Sequence, residues 1–431
     1  MIKKCLIGGL LIFMGIILMV PPAVAAETES IEQQIDRLAR EVEPKVMEWR
    51  HDIHQNPELS NREFRTSKIV ARHLKELGME VKTDVARTGV IGILRGKADG
   101  PVVALRADMD ALPVTEETGA PYASKNKGVM HACGHDSHTA VLMGTAEVLS
   151  KMKDKIPGTV KFIFQPAEEG APEGEEGGAP LMIKEGALEN PKVDAIFGLH
   201  VVPMPAGTIA YKSGALMAAV DIIKIVVTGK QTHGGQPQSG IDPIVVASQI
   251  VMGVQTIVSR QINVVTSPTV ISIGQIHGGE RWNIIPEKVE MTGTIRSLDK
   301  AVRAQVAEKL KRTAQSIAEA AGAKAEVTIT HLSPVCYNNP ALHNQMLPTL
   351  KKLVSSMKIF ESPASTGGED FSYYQEKIPG YFFYIGATAP KERPSQLHNP
   401  KFNTDDKGLV LGVRAMSNLA IDYLTIKSKG N

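Results

Sequence analysis

The sequence predicts an α/β protein with a mostly parallel central sheet and an inserted second domain of α+β type. Three observations carry this. Short, continuous apolar runs alternate with stretches of helical periodicity, the pattern of strands buried on both faces and joined by helical crossovers. Three of those runs, Val102–Leu105, Val160–Phe164 and Ala195–Leu199, lead into acids or a histidine. From about residue 216 the order changes to β-α-β-β-α-β, the split unit of ferredoxin-like modules.

At 431 residues, 43% hydrophobic and 22% charged, the chain is long enough for two domains. A net charge of +2 with interspersed signs argues against a nucleic-acid surface. Residues 1–26 read as an export signal. Lys3 and Lys4 precede an apolar run from Cys5 to Val20, then Pro21-Pro22-Ala23-Val24-Ala25-Ala26. Cleavage falls near Ala25 or Ala26. The alternative is an uncleaved anchor, the one membrane contact expected, because the run is near the lower limit for spanning a bilayer. Either way the body is exported, to the periplasm or beyond. Only Cys133 and Cys336 then remain, and a metal on Cys133 leaves no disulfide, so the fold rests on its core.

The body divides into one domain over 27–215 and 331–431 and an inserted one over 216–330. In order, Ile31, Ile35, Leu38, Val42, Val46 and Trp49 recur at helical spacing over 30–55, and Asn56-Pro57 ends that helix. A second helix covers 64–77 and stops at Gly78. Strands follow near 79–85 and 89–95, then the buried strand that ends in Asp108-Met109-Asp110. Ser137 to Met152 is helical, with Asp136 or Ser137 as N-cap. The strand 160–164 runs into Gln165-Pro166-Ala167-Glu168-Glu169, then a Gly- and Glu-rich loop, a short helix and the strand 194–199. The insert has strands near 220–227, 268–277, 287–297 and 324–330, with helices at 242–260 and 300–321. The first domain resumes with a helix at 342–356, a strand at 381–385, a loop bearing His398 and a closing helix at 408–426. In parallel-rich sheets ligands bind at the carboxyl ends of strands, where Asp108, Asp110, Glu168, Glu169 and His200 all sit.

His131-Ala132-Cys133-Gly134-His135-Asp136 holds two imidazoles, a thiol and a carboxylate around a glycine that permits a tight turn. In an extended segment Cys133 and His135 share a side. Thiolate with imidazole suits a borderline-soft divalent ion such as zinc. The bland alternative is a buried cysteine beside surface histidines. Adjacent acids such as Glu168-Glu169 are usually just solvated, but these follow an apolar strand. One can ligate while the other takes a proton from metal-bound water, whose pKa falls from about 16 to about 7.

His200 and His398 are ordinary histidines when taken singly. With Cys133, His135 and Glu169 they complete the ligand count of a two-metal site, with ions about 3.5–4 Å apart. His51, His54, His73, His138, His277, His331 and His343 lack such a setting and read as surface or structural; His131 borders the cluster. His233 reads as a loop histidine, and Asn283 and Arg296 as unremarkable when taken singly, though an arginine such as Arg296 can clamp a carboxylate. In Gly367-Gly368-Glu369-Asp370-Phe371 the glycines can turn amides toward an anion, or the stretch is an acidic helix start.

Ala107-Asp108-Met109-Asp110-Ala111-Leu112-Pro113, His131 through Asp136, Gln165 through Gly170, Gly198-Leu199-His200, Gly367 through Tyr373 and Leu397-His398 together resemble one family. It is the hippurate hydrolase and auxin–amino-acid-conjugate hydrolase branch of the aminoacylase/metallodipeptidase superfamily. The resemblance runs in order along essentially the whole mature chain. It implies a zinc-peptidase-like catalytic domain with an inserted lid that usually dimerises. It implies two divalent ions (zinc, manganese, cobalt or nickel) on Cys133, His135, Glu169, His200 and His398. Glu168 is implied as catalytic acid/base, with Asp110 as an orienting group outside the ligand set. His233, Asn283, Arg296 and Gly367 match positions implied to bind substrate, His233 by reaching a partner's site and holding the oxyanion. Two departures bear on substrate preference: Thr232-His233-Gly234 stands where Gly-His-Ala is frequent, and the loop after Glu169 is long and rich in acids (Glu173, Glu175, Glu176).

The expected activity is hydrolysis of N-acyl or N-aroyl amino acids to a carboxylic acid and a free amino acid. The first rival is an exported metallo-dipeptidase or aminopeptidase, which requires a free amino group on its substrate. The second is a non-catalytic exported metal- or amino-acid-binding protein.

Overall fold

The computed structural model describes residues 29–389 and 395–430, with residues 1, 2 and 9; the expected export signal falls almost wholly outside them. The first part of the chain supplies α1 (Ile31–Gln55), α2 (Phe64–Glu76), β1 (Glu80–Val85), β2 (Gly89–Arg95), β3 (Val102–Asp108), α3 (His135–Lys151), β4 (Thr159–Gln165), α4 (Gly178–Lys184), β5 (Ala195–Pro205), β6 (Ile209–Tyr211) and β7 (Gly214–Met217). Then come β8 (Ala219–Thr228), β9 (Thr232–His233), α5 (Pro243–Gln261), β10 (Thr269–Gly278), β11 (Ile284–Ile285), β12 (Lys288–Ser297), α6 (Lys300–Ala320) and β13 (Lys324–Ser333). The chain closes with β14 (Cys336–Asn338), α7 (Pro340–Leu353), β15 (Ile359–Glu361), α8 (Ser372–Gln375), β16 (Gly380–Thr388) and α9 (Leu409–Lys429).

The eight-stranded sheet has the order β1-β2-β4-β3-β5-β16-β6-β15. Its centre, β4-β3-β5-β16, is parallel throughout. The flanks are mixed: β1, β2 and β6 run antiparallel to their inner neighbours, and β15 is parallel to β6. Every side chain of β3 and β4 is buried, because helices cover both faces and leave no side for water. One face packs on α1, α2, α3, α7 and α9 through residues such as Val42, Val46, Leu105, Phe162, Met416 and Leu419. The other packs on α4, α8 and the loops around them through Ile163, Met182, Phe371 and Phe382.

The region 219–333 has its own sheet and core. Its strands lie in the order β10-β12-β8-β13, antiparallel throughout. Val246, Ile250, Val254, Leu310 and Ala314 of α5 and α6 bury against Ile223, Ile225, Met291 and Ile295. This is the expected β-α-β-β-α-β unit. It joins the rest through the two-stranded pairing of β7 with β14.

Two boundaries differ from the sequence reading. The helix expected from Ser137 begins at His135, with Gly134 as its cap in the left-handed region at φ 93°. A side chain at Gly134 would run into Val201 Cγ2, so the turn needs glycine for both space and dihedral. Asp136 does not cap, because its Oδ2 takes hydrogen bonds from Arg50 Nε at 3.0 Å and His54 Nδ1 at 2.9 Å. The strand expected to end before His200 continues to Pro205, so His200 lies within β5 and pairs with Tyr384 of β16. The pairing of β3 with β5 reaches only Gly198, and this opens one side of β5 beyond that point.

Candidate active site

The parallel centre brings three loops and one strand to one edge. Cys133 and His135 follow β3, Glu168 and Glu169 follow β4, His200 lies on β5 and His398 follows β16. A cavity of about 570 Å³ opens there, lined by Cys133, Glu168, Glu169, His200, Arg296 and His398 among others.

The donor atoms converge. Cys133 Sγ lies 3.3 Å from His200 Nε2, and His398 Nε2 lies 3.0 Å from Glu169 Oε1. Cys133, His135 and His200 form one set of ligand atoms mutually within 4.8 Å; Cys133, Glu169 and His398 form a second, sharing the thiol. The two buried imidazoles of these sets, His135 and His200, spend Nδ1 elsewhere and turn Nε2 to the centre. His135 Nδ1 donates to the Asp110 backbone oxygen at 2.9 Å, and its Nε2 is buried without a hydrogen-bond partner among the described residues. His200 Nδ1 donates to Val201 O at 2.6 Å. Burial and the neighbouring His138 hold His200 far below the usual imidazole range, in the neutral form a ligand requires. An orphaned ring nitrogen, a thiol and two sharing donor sets fit a pair of divalent ions.

The charge balance fits too. Burial, then the charges of Glu369, Glu169 and Asp370, push Glu168 well above the usual carboxylate range. The Arg106 guanidinium, fully buried on β3, pairs with Asp108 at 2.6 Å, Asp370 at 2.7 Å and Glu369 at 3.2 Å. Arg106 is thus committed to three acids, and divalent ions held by the donor cluster would add positive charge beside Glu168 and Glu169.

Asp110 sits beneath the centre. Its Oδ1 accepts the Glu168 N–H and its Oδ2 the Glu169 N–H, both at 3.0 Å, with Ser60 Oγ donating at 2.8 Å. Its Oδ1 also lies 3.2 Å from His135 Nδ1. Glu168 Oε1 receives the Asp370 N–H at 3.3 Å, and Glu168 Oε2 lies 3.8 Å from His135 Nε2. The Glu168 side chain is thus held facing the donor cluster.

His138 is buried and uses both ring nitrogens, Nδ1 toward Asp108 at 2.6 Å and Nε2 accepting the Val201 N–H at 2.8 Å. It is structural, as the sequence reading has it. His131 is buried, and neither ring nitrogen has a partner among the described residues. Gly367 lines the cavity, but its N–H goes to Ser365 Oγ at 3.1 Å rather than outward. Glu369 Oε1 accepts the Phe371 N–H at 3.0 Å, so the acidic helix start is the reading realised there. Arg296 reaches the cavity, and no carboxylate pairs with it among the described residues. His233 is exposed and does not line the cavity; it adjoins Asn283, whose backbone oxygen accepts the Gly234 N–H at 2.8 Å. The acid-rich loop is partly pinned to the body: Glu175 pairs with Arg62 at 2.5 Å and Glu176 with Lys184 at 2.7 Å.

The sequence reading left out Arg106, Glu63 and the apolar cavity wall of Met217, Val220 and Leu332. The wall is contributed by three separate segments that no motif connects.

Residues 104–422 match the profile of peptidase family M20/M25/M40. N-acetylcysteine deacetylase of Bacillus subtilis is 42% identical over 387 residues, covering 89% of this chain and 98% of that protein. An IAA-amino acid hydrolase of Arabidopsis thaliana is 36% identical over 430 residues, 98% of this chain and 95% of its own. The crystal structure of a dinuclear metal-binding M20 peptidase from Bacillus subtilis superposes with a TM-score of 0.77 at 38% identity, covering 90% of this chain and 99% of that one. The chain belongs to peptidase family M20/M25/M40 and is a metal-dependent hydrolase of that family.

Proposed function

We propose that the protein hydrolyses the amide bond of N-acyl or N-aroyl amino acids, using two divalent ions held by Cys133, His135, Glu169, His200 and His398. One observation carries the choice of substrate. Arg296 is a guanidinium with no carboxylate partner among the described residues, in the same cavity as the ligand set and suited to an α-carboxylate. Glu369 and Asp370, two acids of the cavity wall, are already paired with Arg106, which favours an acylated amine over a free one.

When bound, the ions supply Lewis acidity to a carbonyl oxygen and make a nearby water easier to deprotonate. Glu168 takes the proton of the attacking water and returns it to the leaving nitrogen. Asp110 keeps the Glu168 backbone and the His135 ring in register for that transfer. Arg296 anchors the carboxylate, and Met217, Val220 and Leu332 border the amino-acid side chain.

His233 and Asn283 stand outside their own cavity, which fits a dimer in which each copy completes the other's site. The outer strand of the second sheet, β10, offers a free edge flanked by exposed Val270 and Ile276, and α5 adds exposed Val245 and Met252. The basic, apolar and small-residue order of the N-terminus supports export.

The test is a panel of hippurate, N-acetyl-methionine and N-acetyl-leucine set beside the free dipeptides Gly-Met and Gly-Leu, each with zinc, manganese, cobalt or nickel. Cleavage of the acylated set alone is expected. Preference for free dipeptides would establish the peptidase instead.

A further inference from the structure

Glu168 is presented by a turn that the chain does not adopt freely. Ala167, just before it, has φ 53°, in the left-handed region that a non-glycine residue seldom occupies. Such a conformation persists only where its surroundings over-determine it. Here the surroundings are two buried carboxylates. Glu63 Oε1 accepts the Ala167 N–H at 2.9 Å, Asp110 Oδ1 accepts the Glu168 N–H at 3.0 Å, and Asp110 Oδ2 accepts the Glu169 N–H at 3.0 Å. Three consecutive amides are thus held by acids from two distant segments.

Glu63 is built for this task. It has no exposed surface. Its Oε1 also accepts the Asn61 N–H at 3.1 Å, and its Oε2 faces Thr88 Oγ1 at 2.5 Å. Thr88 is itself buried, so the carboxyl cannot turn away without stranding a polar group. A glutamate at the start of a helix normally faces water. This one precedes α2, makes no side-chain cap to it, and points to the turn after β4 instead.

We propose that Glu63 is a positioning residue for hydrolysis: by holding the Ala167 amide it fixes the turn that aims the Glu168 carboxyl. This rests on the reading of Glu168 as the acid/base. What matters is the acceptor oxygen rather than the charge, since Gln retains an oxygen for the two amides and can satisfy Thr88. Glu63→Leu keeps the bulk and removes the acceptor.

The experiment compares wild type, Glu63→Gln and Glu63→Leu as metal-loaded full chains acting on N-acetyl-methionine and hippurate. In Glu63→Leu, kcat is expected to fall about a hundredfold, the order that a small misplacement of a reacting group costs. KM and the metal content per chain are expected to stay at wild-type levels, and Glu63→Gln to recover most of kcat. Amide hydrogen exchange across 165–171 is expected to quicken in Glu63→Leu and not in Glu63→Gln. A folded Glu63→Leu with wild-type kcat overturns the proposal, as does a loss confined to KM or to metal content. If Glu63→Leu does not fold, Thr88→Val carries the test: kcat falls several-fold with metals retained, and an unchanged kcat overturns the proposal. A wild-type protein inactive on the whole acylated panel removes the reading of Glu168 and this inference with it.

Discussion

The Asp110 carboxylate accepts the backbone N–H of Glu168 at 3.0 Å through an oxygen that also lies 3.2 Å from His135 Nδ1. One buried acid therefore sets both a ligand ring and the residue assigned the proton transfer. The account of the site follows from that double contact.

Replacing Asp110 tests it directly. In Asp110→Ala the amides of Glu168 and Glu169 lose their acceptor and His135 loses a neighbour that fixes its tautomer. Metal affinity and kcat are each expected to fall about ten- to a hundredfold, the usual effect of losing such an outer partner. Metal titration with a competing chelator and steady-state kinetics read the two separately.

Arg296 provides a second test. Arg296→Ala is expected to raise KM for N-acetyl-methionine by one to two orders of magnitude, because a charge-assisted pair contributes roughly 1.5–3 kcal/mol. The corresponding amide, which has no carboxylate, should be cleaved equally by both proteins.

The Arg50–Asp136–His54 cluster gives a pH signature. Burial penalises the charge on His54, but the Asp136 charge and hydrogen bond outweigh it and raise His54 to about 9. Burial likewise disfavours the Asp136 carboxylate, yet Arg50 and His54 hold it well below its usual 3.8. The His54 contribution to stability is thus complete below its unfolded value of 6.5 and is lost as pH rises through about 9. That of Asp136 is present above 3.8 and is lost as pH falls. Asp136→Asn is expected to destabilise by about 3–5 kcal/mol near neutrality, the cost of unpairing a buried charge. The difference from wild type should shrink between pH 6.5 and 9. Denaturant unfolding of both proteins at pH 5, 7 and 9 measures it.

The parts of this architecture legible in the sequence are those written in contiguous pattern. The parallel strands announce themselves as apolar runs, and the converging donor side chains as reactive residues at their ends. The helix starting at His135 was misplaced because Asp136 and Ser137 are strong capping types, whereas Asp136 is committed to Arg50 on α1. That partner was invisible: Arg50 follows Trp49 on what reads as the helix margin, yet it is fully buried. Glu63 was missed for the same reason. In Asn61-Arg62-Glu63-Phe64 it looks like a solvated acid, and only the fold brings it to Ala167.

The measurement that bears most directly on the whole account is turnover and metal content of Glu168→Gln on hippurate and N-acetyl-methionine. The expected result is two divalent ions per chain, as in wild type, with kcat lowered about a thousandfold, within the range of general acid–base catalysis. Turnover near the wild-type rate in that metal-loaded variant would contradict it.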